Sequence, residues 1–148
     1  MKAKVTSILN SDADTMWNEL QNITSLKRIT FPVLIFKTSD HSPLPEKWHS
    51  DRTYRFRLFL LGIIPLGHHT INFEVLDPRK KMIISNEHGL LTRKWKHLIL
   101  LQSIGKGKIR YTDEVEIKAG ILTFPVWFFA QLFYRYRQRR WKKVLKSI

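Results

Sequence analysis

His97 and Asp113 are the residues of this 148-residue chain whose types could do proton chemistry if the fold brings them together. An imidazole titrates near neutral pH, and a carboxylate hydrogen-bonded to it fixes its tautomer and raises its basicity. Tyr111 stands two residues before Asp113 and shares its face on any strand that carries both. Such a cluster has three uses. Its members satisfy one another in a polar seam, where an unpaired buried group would cost about 1–3 kcal/mol. They anchor a ligand, or His97 serves as general acid and base. A further arrangement pairs Asp113 with Arg137 instead. The six histidines are scattered in spacing and there is no cysteine, so the sequence assigns no metal, no cofactor and no disulfide.

The elements that must position these residues change period along the chain. Val5 to Leu9 forms a strand, and Ser11 or Asp12 then caps a helix with Met16, Trp17 and Leu20 on one face. Leu26 and Ile29 mark a second short helix before Pro32. From Thr53 to Leu60 the period is two, with Tyr54, Phe56, Leu58 and Leu60 opposed to Thr53, Arg55 and Arg57. His69, Ile71, Phe73 and Val75 repeat the pattern, and Asp77-Pro78 supplies a turn. Strands follow over Lys81 to His88, Arg93 to Gln102 and Lys108 to Ile117.

Charge predicts the register of these last strands. A hairpin with Gln102 facing Lys108 sets Lys96 opposite Glu114 and Lys94 opposite Glu116. One with His88 facing Arg93 sets Glu87 opposite Lys94 and Ile83 opposite Leu98. Exposed cross-strand pairs are worth about 0.2–1 kcal/mol each, and their agreement marks that face as the outer one. The inner face then carries Asn86 and His88, Trp95 and His97, and Tyr111 and Asp113, with His97 opposite Asp113 and His69 opposite His88. Phe56, Phe73, Trp95, Tyr54 and Phe129 are the aromatics able to line a pocket beside that seam.

Phe124-Pro125 opens a final helix that runs to about Lys146, with Trp127, Ala130, Tyr134, Trp141, Val144 and Ile148 on one stripe. Its first half is apolar nearly all round, as expected of a helix gripped by a sheet and covered by loops. Its second half is basic, from Arg135 to Lys146, and no acid follows Glu116. The net charge of +14 suits an anionic membrane surface or nucleic acid, although the helix dipole alone favours cations at that end. Nucleic acid is the weaker partner, because the sheet aromatics alternate inward and cannot also stack on bases. Leu61 to Gly67 is unusually apolar for a connection and predicts a lid over the cavity, or a tip that dips into a membrane. No apolar run approaches the roughly 20 residues of a membrane span, and no signal-peptide pattern opens the chain, so a cytoplasmic protein of one domain over 1–148 is expected.

The order of strand, two short helices, antiparallel sheet and long final helix resembles the START-related, birch-pollen-allergen-like superfamily called SRPBCC. The resemblance spans nearly the whole chain. It is carried by the first strand before Ala13-Asp14-Thr15-Met16-Trp17, by Trp95-Lys96-His97, by Tyr111-Thr112-Asp113-Glu114-Val115-Glu116-Ile117, and by the aromatic final helix. It implies an α+β helix-grip fold with a cavity between sheet and helix, used in different members for lipids, hormones, polyketides or aromatic compounds. The expected function is binding or transport of a small apolar or amphipathic ligand, contacted by His97, Asp113, Tyr111, Trp95, Asn86, His69, His88, Phe56, Phe73 and Phe129. The alternatives are a cyclase or dehydratase using His97, and a surface binder using the basic helix end.

Overall fold

The computed structural model describes residues 1–39, 43–50 and 52–147. Strand β1 (Lys2–Leu9) leads into helices α1 (Ala13–Gln21) and α2 (Ile23–Thr30). Asp12 caps α1 by accepting from the Thr15 amide at 2.8 Å, and Asn22 caps α2 by accepting from the Thr24 amide at 2.9 Å. Strands β2 (Leu34–Thr38), β3 (Thr53–Leu60), β4 (Ile64–Asp77), β5 (Met82–Gly89), β6 (Lys94–Gly105) and β7 (Lys108–Lys118) follow. A short 3-10 turn at Gly120–Leu122 then opens the last helix, α3 (Thr123–Lys146). Ile148 lies outside the described residues.

All neighbouring strands are antiparallel, in the order β1-β7-β6-β5-β4-β3-β2. Helix α3 packs along β1 and β7 and against α2, and so covers one side of the curved sheet. This is the expected α+β helix-grip architecture. Buried Ala130, Phe133, Tyr134, Trp141 and Val144 form the gripped face of α3.

Two registers differ from those that charge predicts. The β6–β7 hairpin closes on a tight turn at Lys106-Gly107, where Gly107 supplies a φ of +71°, so both strands run on further than expected. The pairing shifts by two residues, sides are preserved, and His97 faces Val115 while Asp113 faces Ile99. The β5–β6 pairing shifts by one residue, setting Ser85 opposite His97 and Glu87 opposite Trp95. A one-residue shift exchanges the faces of β5. Ile83, Ser85 and Glu87 point inward, whereas Asn86 and His88 lie on the outer face, Asn86 hydrogen-bonded to Glu74 and His88 exposed and paired with Thr70. Apolar pattern could not decide this, because Met82, Ile83 and Ile84 are consecutive. What overrides the weak surface pairs is a set of buried hydrogen bonds made by Glu87.

Among the described residues, no loop gives α3 the cover expected over its outer side. Phe124, Phe128 and Leu132 stand exposed along its outer side, and Leu61–Ile64 forms an exposed hairpin tip rather than a lid. The β5 register yields a direct test. Replacing buried Ile83 with alanine should cost about 2–4 kcal/mol in urea denaturation, and the same change at half-buried Ile84 about 1 kcal/mol or less. The reverse order would restore the register that charge predicts.

Candidate functional site

The exchanged face of β5 brings together residues that were assigned to opposite sides of the sheet. Glu87 accepts at Oε1 from His69 Nε2 at 2.8 Å and at Oε2 from the Ser85 hydroxyl at 2.7 Å. His97 sits between two carboxylates, with Nδ1 3.8 Å from Glu87 Oε2 and Nε2 2.8 Å from Asp113 Oδ1. Tyr111 donates to the same Asp113 oxygen at 3.3 Å, and Gln138 of α3 donates to Asp113 Oδ2 at 3.0 Å and to the Val5 carbonyl at 2.8 Å. The result is a chain of alternating imidazoles and carboxylates across β4, β5, β6 and β7, tied at its far end to the helix. The expected contact of His97 with Asp113 therefore forms, but diagonally rather than between directly opposed residues.

Burial alone would push the Glu87 carboxyl up. The hydrogen bond and charge of His69, the charge of His97 and the Ser85 hydroxyl outweigh it, so Glu87 titrates below its ordinary value. Burial and the Asp113 charge push the Tyr111 hydroxyl far up, and burial does the same to Tyr134, so both remain protonated donors at neutral pH. Tyr134 accepts from Trp95 Nε1 at 3.1 Å and stands 4.8 Å from the His97 ring. Arg137 is buried under the sheet, and while burial disfavours its charge, Asp113 and the neighbouring groups restore it. The pairing of Arg137 with Asp113 that the sequence allowed does not form, because His97, Tyr111 and Gln138 already occupy the Asp113 oxygens.

Between this seam, α3 and the short helices lies a cavity of about 330 Å³. Its walls are mostly apolar, with Leu34, Phe36 and Leu60 on one side and Val126, Phe129 and Phe133 on the other. Polar groups reach it partway along its wall: Ser85, Glu87, His69, His97, Tyr134 and Arg137, with Leu20, Ile83, Ile99 and Trp141 lining it beyond them. Of the residues expected at a ligand, His97, Trp95, His69, Phe73 and Phe129 line this space. Asp113 and Tyr111 stand behind His97 and do not line it, and Phe56 fills the core against Phe36 and Trp48. Asn86 and His88 face away, for the reason given by the β5 register. Sequence reasoning missed Glu87, Ser85 and Arg137. The first two were lost with the register, although an acid on a strand that also carries Ile83 was a signal that the outward assignment needed a buried alternative. Arg137 was visible as the residue that interrupts the apolar stripe of α3. Among the described residues, no three His, Cys, Asp or Glu side chains converge as a metal site requires.

The family model described as Domain of unknown function (DUF8410) matches residues 7–145. The chain belongs to that family. No curated protein matches the sequence. Solved structures do resemble it in fold. Protein CV1439 from Chromobacterium violaceum is 10% identical with a TM-score of 0.77, covering 97% of this chain and 95% of its own. A START superfamily protein from Mycobacterium smegmatis is 10% identical with a TM-score of 0.71, covering 99% and 97%. Major latex-like protein 151 from Panax ginseng is 11% identical with a TM-score of 0.64, covering 97% of each chain. These likenesses show the fold: a START superfamily protein and a major latex-like protein share the helix-grip arrangement of this chain. None of the described helices is long and apolar enough to cross a membrane.

The Glu87 network has a pH signature. A carboxyl held below its unfolded value of 4.5 contributes its stability in full above that value and loses it as pH falls through the lower folded value. Glu87→Gln should therefore cost about 2 kcal/mol at pH 7. The gap in melting temperature from the unmodified protein should narrow as pH falls below about 4.5. A gap that stays constant from pH 7 to pH 3 would mean that the Glu87 charge contributes nothing.

Proposed function

We infer that this chain, as one cytoplasmic domain, binds or carries a small hydrophobic or amphipathic molecule in the cavity between sheet and α3. The observation that carries this reading is the cavity itself: about 330 Å³, apolar along most of its wall and crossed by one polar cluster. That is the size and lining of sites that bury an apolar ligand and orient it with a few polar groups. Trp95, Phe73 and Phe129 contact the ligand body in this reading, and His97, His69 and Glu87 its polar end, with Asp113 and Tyr111 holding His97 in place. The likeness to a START superfamily protein and a major latex-like protein supports a ligand-binding use of the fold.

Native mass spectrometry of gently purified protein should show a stoichiometric small molecule that denaturation releases. Leu60→Trp, which fills the cavity from β3, should weaken binding of that compound, or of an environment-sensitive naphthalene dye, by about 10-fold or more. An empty protein that binds no apolar probe would overturn the reading.

A second reading, docking on an anionic membrane, is favoured by the cavity mouth. β7 and β5 end, and β6 and β4 begin, at the same end of the sheet as the start of α3. Ile121 is 98% exposed there, Ile63 80% and Leu90 77%, with Leu61, Phe124 and Phe128 beside them. A Cβ on Gly67 would lie 2.9 Å from Leu90 Cβ, so the two hairpin tips touch. Arg93 and Lys118, joined by a 2.8 Å backbone hydrogen bond, add cations to this apolar rim. An interface of exposed apolar side chains flanked by cations suits the headgroup layer of an anionic bilayer. The protein should float with phosphatidylglycerol vesicles, Ile63→Asp combined with Ile121→Asp should release it, and Lys142→Glu with Lys143→Glu at the far helix end should not. Loss through the far-end pair alone would return the contact to the basic helix terminus.

A further inference from the structure

Arg137 has donors and nothing to give them to. Its residue is 5% exposed, its Nε has no hydrogen-bond partner, and among the described residues it makes no hydrogen bond and no ion pair within 4.0 Å. Its guanidinium stands over the Tyr134 ring at 5.2 Å and the Phe133 ring at 5.9 Å, contacts that leave its N–H fork unused. It also lines the cavity. A buried charge needs a partner of opposite sign or a cluster of acceptors, and a guanidinium matches a carboxylate with two parallel hydrogen bonds.

The neighbouring carboxylates do not supply that partner. Glu87 accepts from His69 and Ser85, and Asp113 from His97, Tyr111 and Gln138, and neither carboxylate comes within 4.0 Å of the Arg137 guanidinium. The acids of the seam are satisfied and the cation is not. A ligand that completed this site would bring acceptor oxygens, not donors.

Position along the helix indicates the shape of the ligand. Val126 lies near the mouth and Arg137 eleven residues further along α3, about 16 Å at the rise of an α-helix, with apolar wall between them. We propose that the cavity takes an amphipathic acid, its carboxylate bound by Arg137 and its apolar chain laid along the wall between Arg137 and Val126. This rests on the cavity-binding reading above and names the ligand class that reading leaves open.

The test compares dodecanoic acid with dodecanol on the full chain, by calorimetry at neutral pH. Wild-type protein should prefer the acid by about 10- to 100-fold, the range of a charge-assisted hydrogen-bonded pair in a shielded site. Arg137→Met should bind both compounds at the affinity of the alcohol, and Arg137→Lys should retain part of the preference. Without ligand, Arg137→Met should still fold cooperatively, its melting temperature lowered only by the lost attraction to Asp113 and Glu87. Equal binding of acid and alcohol by wild type, or an acid preference that survives in folded Arg137→Met, would overturn the proposal while leaving the cavity reading intact. Failure of wild type to bind either compound or any other apolar probe would remove both readings.

Discussion

A carboxylate withdrawn from water must be given donors, and much of the geometry of this sheet follows from how Glu87 obtains them. His69 from β4 and Ser85 from its own strand meet its two oxygens, with His97 of β6 at its side. Those contacts exist only when β5 turns Ser85 and Glu87 inward. An exposed cross-strand ion pair contributes a few tenths of a kcal/mol, whereas leaving a buried ionised group unpaired costs several. The inward register of β5 is thus set by the more expensive group. The same seam continues through Asp113 to Gln138, so one polar chain links four strands to α3 and, through the Val5 carbonyl, to β1.

The seam also explains why a cavity survives beneath a long helix. Apolar side chains pack at both ends of α3, Trp141 and Val144 with Met16, Ile99 and Leu101 at one end, Ala130 and Phe133 with Val115 and Ile117 at the other. A third cluster, built on Trp48, Tyr54 and Phe56, closes the β3 side independently of the helix. Between them the inner wall presents Glu87, His97 and Arg137 to α3 and the short helices. Charged groups cannot be pressed against apolar ones without losing their solvation, so this stretch remains open. A buried ionic network of this kind adds little net stability over an apolar filling of equal volume. Its location on the wall of an open space is therefore better explained by what it offers a ligand than by what it adds to folding.

The fold was legible from the sequence because its signals were long and redundant. The two-residue period of Thr53–Leu60, the Asp12 cap, and the proline opening of α3 each correspond to an observed element. The His97 and Asp113 contact was also legible, since a register error of two residues preserves faces. The site was legible only in part. On β5 the inward and outward faces have similar hydrophobicity, so one weak ion pair, Glu87 with Lys94, decided a register that a buried carboxylate decides in the folded chain. Asn86 and His88 were misplaced for that reason, and Glu87 was hidden by it. Of the two expectations for Leu61–Gly67, a lid over the cavity or a tip that dips into a membrane, the lid does not form: Leu66 lines the cavity, but Leu61, Ile63 and Ile64 at the tip stand in solvent.

That exposed tip separates two features that composition had merged. The basic residues of α3 and the apolar mouth lie at opposite ends of a 24-residue helix, about 36 Å apart. Screening at physiological salt acts over about 8 Å, so the cations of one end cannot hold an anionic surface at the other. Arg135, Arg139, Lys142, Lys143 and Lys146 are exposed, and Lys143 and Lys146 sit in the last turn, where the helix dipole already favours positive charge. Arg140 is spent on the Arg28 carbonyl at 3.1 Å, and Arg137 is turned inward. The net charge of +14 is therefore not one surface. At the mouth the local cations are Arg93 and Lys118, and the contact made there depends first on apolar side chains and only second on charge.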